Sequence, residues 1–261
     1  MKLAKFAFVC AAVVSLTAVA DDASSVVGIL KASNPNNLKM YPVGFNFAAA
    51  DGEMSVSNAV KTASLPAGTL LYVYDPTEQK YSSYRIDGNA WTSASSYYFD
   101  GTSVTEQEVS APNAMTVKAG SAAFLVFPAN TDPSNYSIVT AGKPVTAAAS
   151  GVIGAGANLC CFPAGKAVNL NTDTTEVAKL FTAPTATTFA NQAKTVITTQ
   201  GDTIVVPQSD AGASRVYYFD GTSWGYIGRA ANSTKKSFIT DATVPGGLGF
   251  WYNKASAQQG N

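Results

Sequence analysis

Gly68-Thr-Leu-Leu-Tyr-Val73 and Tyr84-Arg-Ile-Asp-Gly-Asn-Ala-Trp91 lie without gaps over Gly201-Asp-Thr-Ile-Val-Val206 and Tyr217-Tyr-Phe-Asp-Gly-Thr-Ser-Trp224, 133 residues further on. Self-similarity at a fixed spacing marks a repeated structural unit, so this match decides how the 261 residues are partitioned. Upstream, Leu38-Lys-Met-Tyr-Pro42 matches Leu159-Cys-Cys-Phe-Pro163 at a spacing of 121; downstream, Ala119-Gly-Ser-Ala-Ala-Phe124 matches Pro245-Gly-Gly-Leu-Gly-Phe250 at 126. The order of the three matches is kept and the drift is loop-sized, which predicts a tandem duplication. An identical heptapeptide, Tyr97-Tyr-Phe-Asp-Gly-Thr-Ser103 against residues 217–223, competes at a spacing of 120. That register needs a long insertion in the first copy, so residues 97–103 are read as an extra hairpin. The expected modules are residues 23–131 and 136–254, joined by the turn-forming Asn130-Thr-Asp-Pro-Ser-Asn135.

Short runs rich in Val, Ile, Tyr, Phe and Thr, bounded by Gly, Pro, Asn and Asp, recur at residues 69–74, 122–127, 195–199, 203–206 and 248–252. They predict an all-β chain of two sandwich or barrel-like modules. Helix is expected only at residues 174–181, capped by Asp173 with Glu176 at the capping-box position, and as a turn or two at residues 55–61.

Asp220-Gly221 between aromatic runs suits a two-residue type I′ turn. That register sets Tyr217 opposite Trp224 and Arg215 opposite Tyr226, with Phe219 and Thr222 on the same face. Asp87-Gly88 likewise sets Tyr84 opposite Trp91. Tyr84, Trp91, Arg215, Tyr217, Trp224 and Tyr226 are therefore the candidate ligand-binding residues, because pyranose CH faces stack on aromatic rings while polar neighbours hold the hydroxyls. The competing reading makes this face the inner one and its rings core, since a sheet turns its more apolar face inward. Burial of Trp91 and Trp224 separates the two.

Composition removes much chemistry. The chain has 17 Lys and Arg, 17 Asp and Glu, and no His; only 13% is charged, about half the usual share. Without histidine there is no Ser-His-Asp or Cys-His nucleophile, HExxH zinc site or histidine-ligated haem. Three arginines at zero net charge argue against nucleic acid. Acidic residues sit mainly in turns such as Asp75-Pro76, Asp132-Pro133 and Asp220-Gly221, so a carboxylate-dependent glycoside hydrolase ranks third and no catalytic residue is assigned. Asn169-x-Asn171-x-Asp173 has alternating oxygen ligands but lacks the glycine and distant Glu of a calcium loop. Residues 151–156 are glycine-rich but lead into a strand. No metal and no cofactor are expected.

Lys2 and Lys5, an apolar run over residues 6–14 and Ala18-Val19-Ala20 form the three parts of a secretory signal cleaved after Ala20. The apolar run is too short to span a membrane. Cys10 leaves with the signal, and the adjacent Cys160 and Cys161 are read as small hydrophobes of a buried strand.

Val26-Val27-Gly28 after the signal, the Gly201-Asp-Thr-Ile204 strand, the Tyr–Trp hairpin and Gly247-Leu-Gly-Phe-Trp251 together resemble the duplicated β-rich exported proteins of planctomycete- and verrucomicrobial-type bacteria, which have no assigned activity. The resemblance implies export and a β fold and brings no catalytic residues. The expectation is a secreted, non-enzymatic structural or surface protein that assembles or adheres; the alternative is a carbohydrate-binding protein. Expected partners are a second copy or a surface glycan, without nucleic acid and without a membrane span after signal cleavage.

Overall fold

The computed structural model describes residues 28–33, 38–48, 54–75, 80–94, 96–99, 104–107, 111, 115–208, 213–230 and 233–255; the signal-peptide reading lies outside them. The described chain is mostly antiparallel β-sheet with two short helices. No helix among the described residues is long and apolar enough to cross a membrane.

Strands β1 (Met40–Gly44), β2 (Leu70–Asp75), β3 (Lys80–Asp87), β4 (Ala90–Ser93) and β5 (Ala122–Val126) form one sheet in the order β1-β5-β2-β3-β4. Strands β6 (Gly156–Cys160), β7 (Thr203–Pro207), β8 (Ser214–Phe219), β9 (Trp224–Arg229), β10 (Lys236–Ile239) and β11 (Phe250–Lys254) form the other in the order β6-β11-β7-β8-β9-β10. Setting β10 aside, both sheets follow one path in which the last strand inserts between the first and second. The short helices α1 (Val56–Ala59) and α2 (Thr174–Ala178) occupy the same connection in each. Helix α2 stops short of the expected residue 181, and Asp173 does not cap it; its carboxylate accepts the Asn169 amide at 2.9 Å and closes the preceding loop instead.

Cross-strand registers align the two sheets residue by residue. Leu71 lies opposite Tyr84 and Ile204 opposite Tyr217, each 133 residues on, as the ungapped match requires. The outer matches shift. Leu125 is Leu71's other neighbour and Tyr252 is Ile204's, a spacing of 127 rather than 126. Tyr41 faces Leu125 while Asn158 faces Tyr252, a spacing of 117 rather than 121. The physical reason is the pleat: a one-residue slip exchanges buried and exposed positions, and only at 127 do the buried Ala123 and Leu125 fall on the buried Phe250 and Tyr252.

The sheets meet where β1 and β6 end. Gly44 N donates to Gly247 O at 3.0 Å, and Cys161 N donates to Gly120 O at 2.7 Å. Val43 bridges to Leu248, and Cys160 to Ser121. At the spacings above these are one contact made twice, with the two halves exchanging roles. Main chains approach closely there: a β-carbon on Gly44 would lie 2.5 Å from Cys161 Cβ, and one on Gly249 2.6 Å from Ala122 Cβ. Phe124 and Trp251 pack across the same join at 6.1 Å between ring centroids. Cys160 and Cys161 are free and fully buried, as expected for small hydrophobes, and burial pushes both thiols well up.

The expected linker is structured. Asp132 accepts the Ser134 amide at 3.0 Å and caps a 3-10 turn, Pro133–Asn135. The strand that follows, Ser137–Pro144, pairs with Gly28–Ser33, Val60–Lys61 and Phe47–Ala48, so it packs with the first half although it lies past the expected boundary at residue 136. The extra hairpin expected at residues 97–103 is represented by Ser96–Phe99 pairing with Val104–Gln107; residues 100–103 lie outside the description.

Gly44→Ala should lower stability by about 1–3 kcal/mol, because an added methyl at a dry join must displace backbone. Gly154→Ala, whose methyl would meet nothing nearer than Asn158 Oδ1 at 3.7 Å, should stay within about 0.5 kcal/mol. Urea unfolding of both variants checks the contrast.

Candidate functional site

The structure divides the six candidate residues into two groups. Tyr84, Trp91, Tyr217 and Trp224 are buried, the first and third almost completely. Their rings belong to the core and have no face free for a sugar. Arg215 and Tyr226 alone are half-exposed.

Both hairpins pair two residues away from the expected register: Ile86 faces Trp91, and Phe219 faces Trp224. The turns explain the slip. In the first, Asp87 and Ala90 form the last pair, leaving Gly88 and Asn89 at the tip with Gly88 at positive φ. In the second, Asp220 N donates to Ser223 O at 3.0 Å, leaving Gly221 and Thr222 at the tip with Gly221 at positive φ, and the Asp220 carboxylate accepts the Thr222 and Ser223 amides at 2.8 and 2.7 Å. Burial pushes the Asp220 carboxyl up, but its bond to Lys194 and those amides outweigh this and hold it below its usual range. A slip of two preserves the face of every side chain, so the six candidates still share the predicted faces.

The first sheet closes along its whole hairpin. Strands β3 and β4 pair from Tyr84–Ser93 to Asp87–Ala90, and Ser83 O accepts the Ala94 amide at 2.9 Å beyond them. In the second sheet β8 and β9 pair only at Tyr218–Gly225 and Phe219–Trp224; from Tyr226 onward β9 keeps only its pairing with β10, on its other edge. The sheet therefore opens along a seam. Alternation along an antiparallel ladder turns the main-chain groups of Ser214 and Val216 on one wall, and of Ile227 on the other, toward the gap.

A cleft of about 360 Å³ lies at this seam, lined by Gln208, Ser214, Arg215, Tyr218, Tyr226 and Gly228 among others. The Arg215 guanidinium carbon sits 4.5 Å from the centroid of the Tyr226 ring. Gly228 makes room, since a β-carbon there would fall 2.5 Å from Tyr226 Cε2. Tyr226 packs edge-on against Tyr217, whose hydroxyl donates to Thr243 O at 3.2 Å. Burial raises the Tyr217 pKa, and the neighbouring Arg215 opposes that rise. The ion pairs found among the described residues are Lys179–Glu176 and Lys194–Asp220, and neither includes Arg215. Ser82 and Ser93 occupy the places of Arg215 and Tyr226 in the first sheet, so the stacked pair of the cleft is not repeated there.

The Asn169-x-Asn171-x-Asp173 oxygens are spent within the protein. Asn169 Oδ1 accepts the Asn171 amide, while Asn171 accepts the Trp224 amide at 2.7 Å and donates to Trp224 O and Thr240 O. Among the described residues no group of three or more metal-ligating side chains comes together. A second, more apolar groove of about 310 Å³ runs beside α2 over Phe181, Phe219 and Trp224. Sequence reasoning missed Gln208, Ser214 and Gly228; the signal for Gly228 was a glycine two places after Tyr226, on the same face of the strand.

No family model matches the chain, and no curated protein or solved structure compared with it does.

Tyr217→Phe should cost about 1 kcal/mol through loss of its bond to Thr243 O. Tyr84→Phe should be neutral or stabilising, because the Tyr84 hydroxyl is buried without a well-formed hydrogen bond. Burial also raises the Tyr84 pKa to about 12, with Ser82 partly offsetting it, so its neutral form favours the fold. That contribution is complete below pH 10 and disappears as pH rises toward 12. Urea midpoints measured across pH 9–12 should fall less steeply in Tyr84→Phe than in the parent.

Proposed function

We propose that the chain is an exported, non-enzymatic structural or surface protein, built by duplication of one β module, that works by assembly or adhesion. The observation that carries this reading is the join, where Gly44–Gly247 and Cys161–Gly120 make the same main-chain contact twice. An interface in which two copies exchange roles is the form self-association takes in symmetric oligomers. Within one chain the two halves already meet in that form, so assembly of whole chains uses a further surface. Export rests on the signal at residues 1–20, and the resemblance to duplicated β-rich exported proteins agrees with it.

An open strand edge supplies a route for further assembly. Gly28–Ser33 pairs with Ser137–Pro144 on one side and has no strand on the other among the described residues. Unpaired edge amides and carbonyls are templates for another chain. Among the residues whose burial is described, the large exposed apolar side chains are Met40 and Val196, which favours main-chain pairing as the mode. Light scattering of the mature protein should show association that grows with concentration; a strict monomer at high concentration would sink the reading. Successive amides of a strand point to opposite sides, so of Ile29→Pro and Leu30→Pro one should block association with the fold retained, and the other should loosen the pairing with Ser137–Pro144.

Carbohydrate binding is the second reading, favoured by Arg215 stacked on Tyr226 in an open cleft. On a glycan array, Tyr226→Ala should lose the signal of the parent while keeping its circular dichroism; an unchanged signal removes the cleft from consideration.

A further inference from the structure

We propose that the seam between β8 and β9 is a single site for an acidic sugar, a uronate residue whose carboxylate is held by Arg215. The proposal rests on the carbohydrate reading of the cleft and specifies its ligand.

Arg215 is the reason for the acid. Its guanidinium is permanently charged, half-buried, and paired with no carboxylate in the ion pairs of the described residues. Among the described residues the cleft lining includes Arg215 and no acidic side chain. Tyr226 lies 4.5 Å beneath the guanidinium and Tyr217 is hydrogen-bonded to it, so its plane is fixed while further donors of its five remain for a carboxylate. The sugar ring follows from the walls. Main-chain groups of Ser214, Val216 and Ile227, with the Gln208 amide nearby, present donors and acceptors around an opening rather than in a row. A pyranose carries its hydroxyls around its rim and matches that distribution. An extended peptide would find diverging walls and could ladder with one of them at most.

The first sheet is an internal control. Ser82 and Ser93 stand where Arg215 and Tyr226 do, and β3 and β4 stay paired, so one ligand should bind per chain and not two.

Titration calorimetry with oligogalacturonate, a neutral galactan oligomer of similar length and a Glu-rich peptide of similar charge tests this. The expected result is one-to-one binding of oligogalacturonate that weakens with salt, falls at least about tenfold in Arg215→Lys and is lost in Arg215→Gln and Tyr226→Ala. Tyr226→Phe, which keeps the ring, should bind as the parent does. Urea unfolding of each variant confirms that the loss is not one of fold. Equal binding of the neutral oligomer by parent and Arg215→Gln would overturn the acid and leave the carbohydrate reading standing. Equal binding of the Glu-rich peptide, or no binding of any oligosaccharide, would overturn both.

Discussion

Two main chains cross at the join so closely that Gly44 has no room for a β-carbon beside Cys161. Everything on either side is positioned from there. The bonds from Gly44 N to Gly247 O and from Cys161 N to Gly120 O satisfy strand-end groups that would otherwise be buried without partners, and such groups are costly to leave unpaired. They also bring together β5 and β11, each the second strand from one edge of its sheet, through Phe124 and Trp251. Cysteine suits the crossing because it is small and apolar. Its thiol, pushed up by burial, stays protonated in an environment that could not solvate a thiolate.

Around that fixed centre the two sheets tolerate different amounts of change. Their inner registers agree residue for residue, with Leu71, Tyr84 and Trp91 buried in one and Ile204, Tyr217 and Trp224 in the other. Interior positions are constrained by close packing, and there the two sheets agree. They differ at the far hairpin, where Ser82 and Ser93 in one sheet stand at the places of Arg215 and Tyr226 in the other and the ladder lapses. The second half also ties its ends with a buried carboxylate: Asp202 accepts the Tyr252 hydroxyl and the Ala255 amide, where the first half has Thr69. Burial first, and then this carboxylate, raises the Tyr252 pKa and keeps the hydroxyl a donor.

Much of this plan was legible in the residues. The ungapped match around Gly68 and Gly201 aligned three strands of one sheet with three of the other at a spacing of 133. The outer matches were misread by one and by four residues. Loops before β5 and β11 differ in composition, and a short motif such as Leu-x-x-x-Pro matches easily in either register. The hairpins were misjudged by two because each turn sits one residue later than its Asp-Gly pair, at Gly88-Asn89 and at Gly221-Thr222, so that both aspartates belong to the ladder ends. The cleft was only half visible. Arg215 and Tyr226 could be named from the stripe, but nothing in the residues of Ser214–Phe219 and Trp224–Arg229 marks where the ladder between them stops.

The join also bears on what a single chain can do that a pair of identical chains cannot. On a true two-fold axis every residue meets its own copy, so sizes must be equal, and a bulky side chain meets another or a small one leaves a hollow. Here a glycine faces a cysteine, an alanine faces a glycine, and a phenylalanine meets a tryptophan. Such unequal partners fit together as plug and socket. Covalent linkage of the halves thus frees the axis from self-matching, and gives the centre of the molecule a shape complementarity that no homodimer of either half could reproduce.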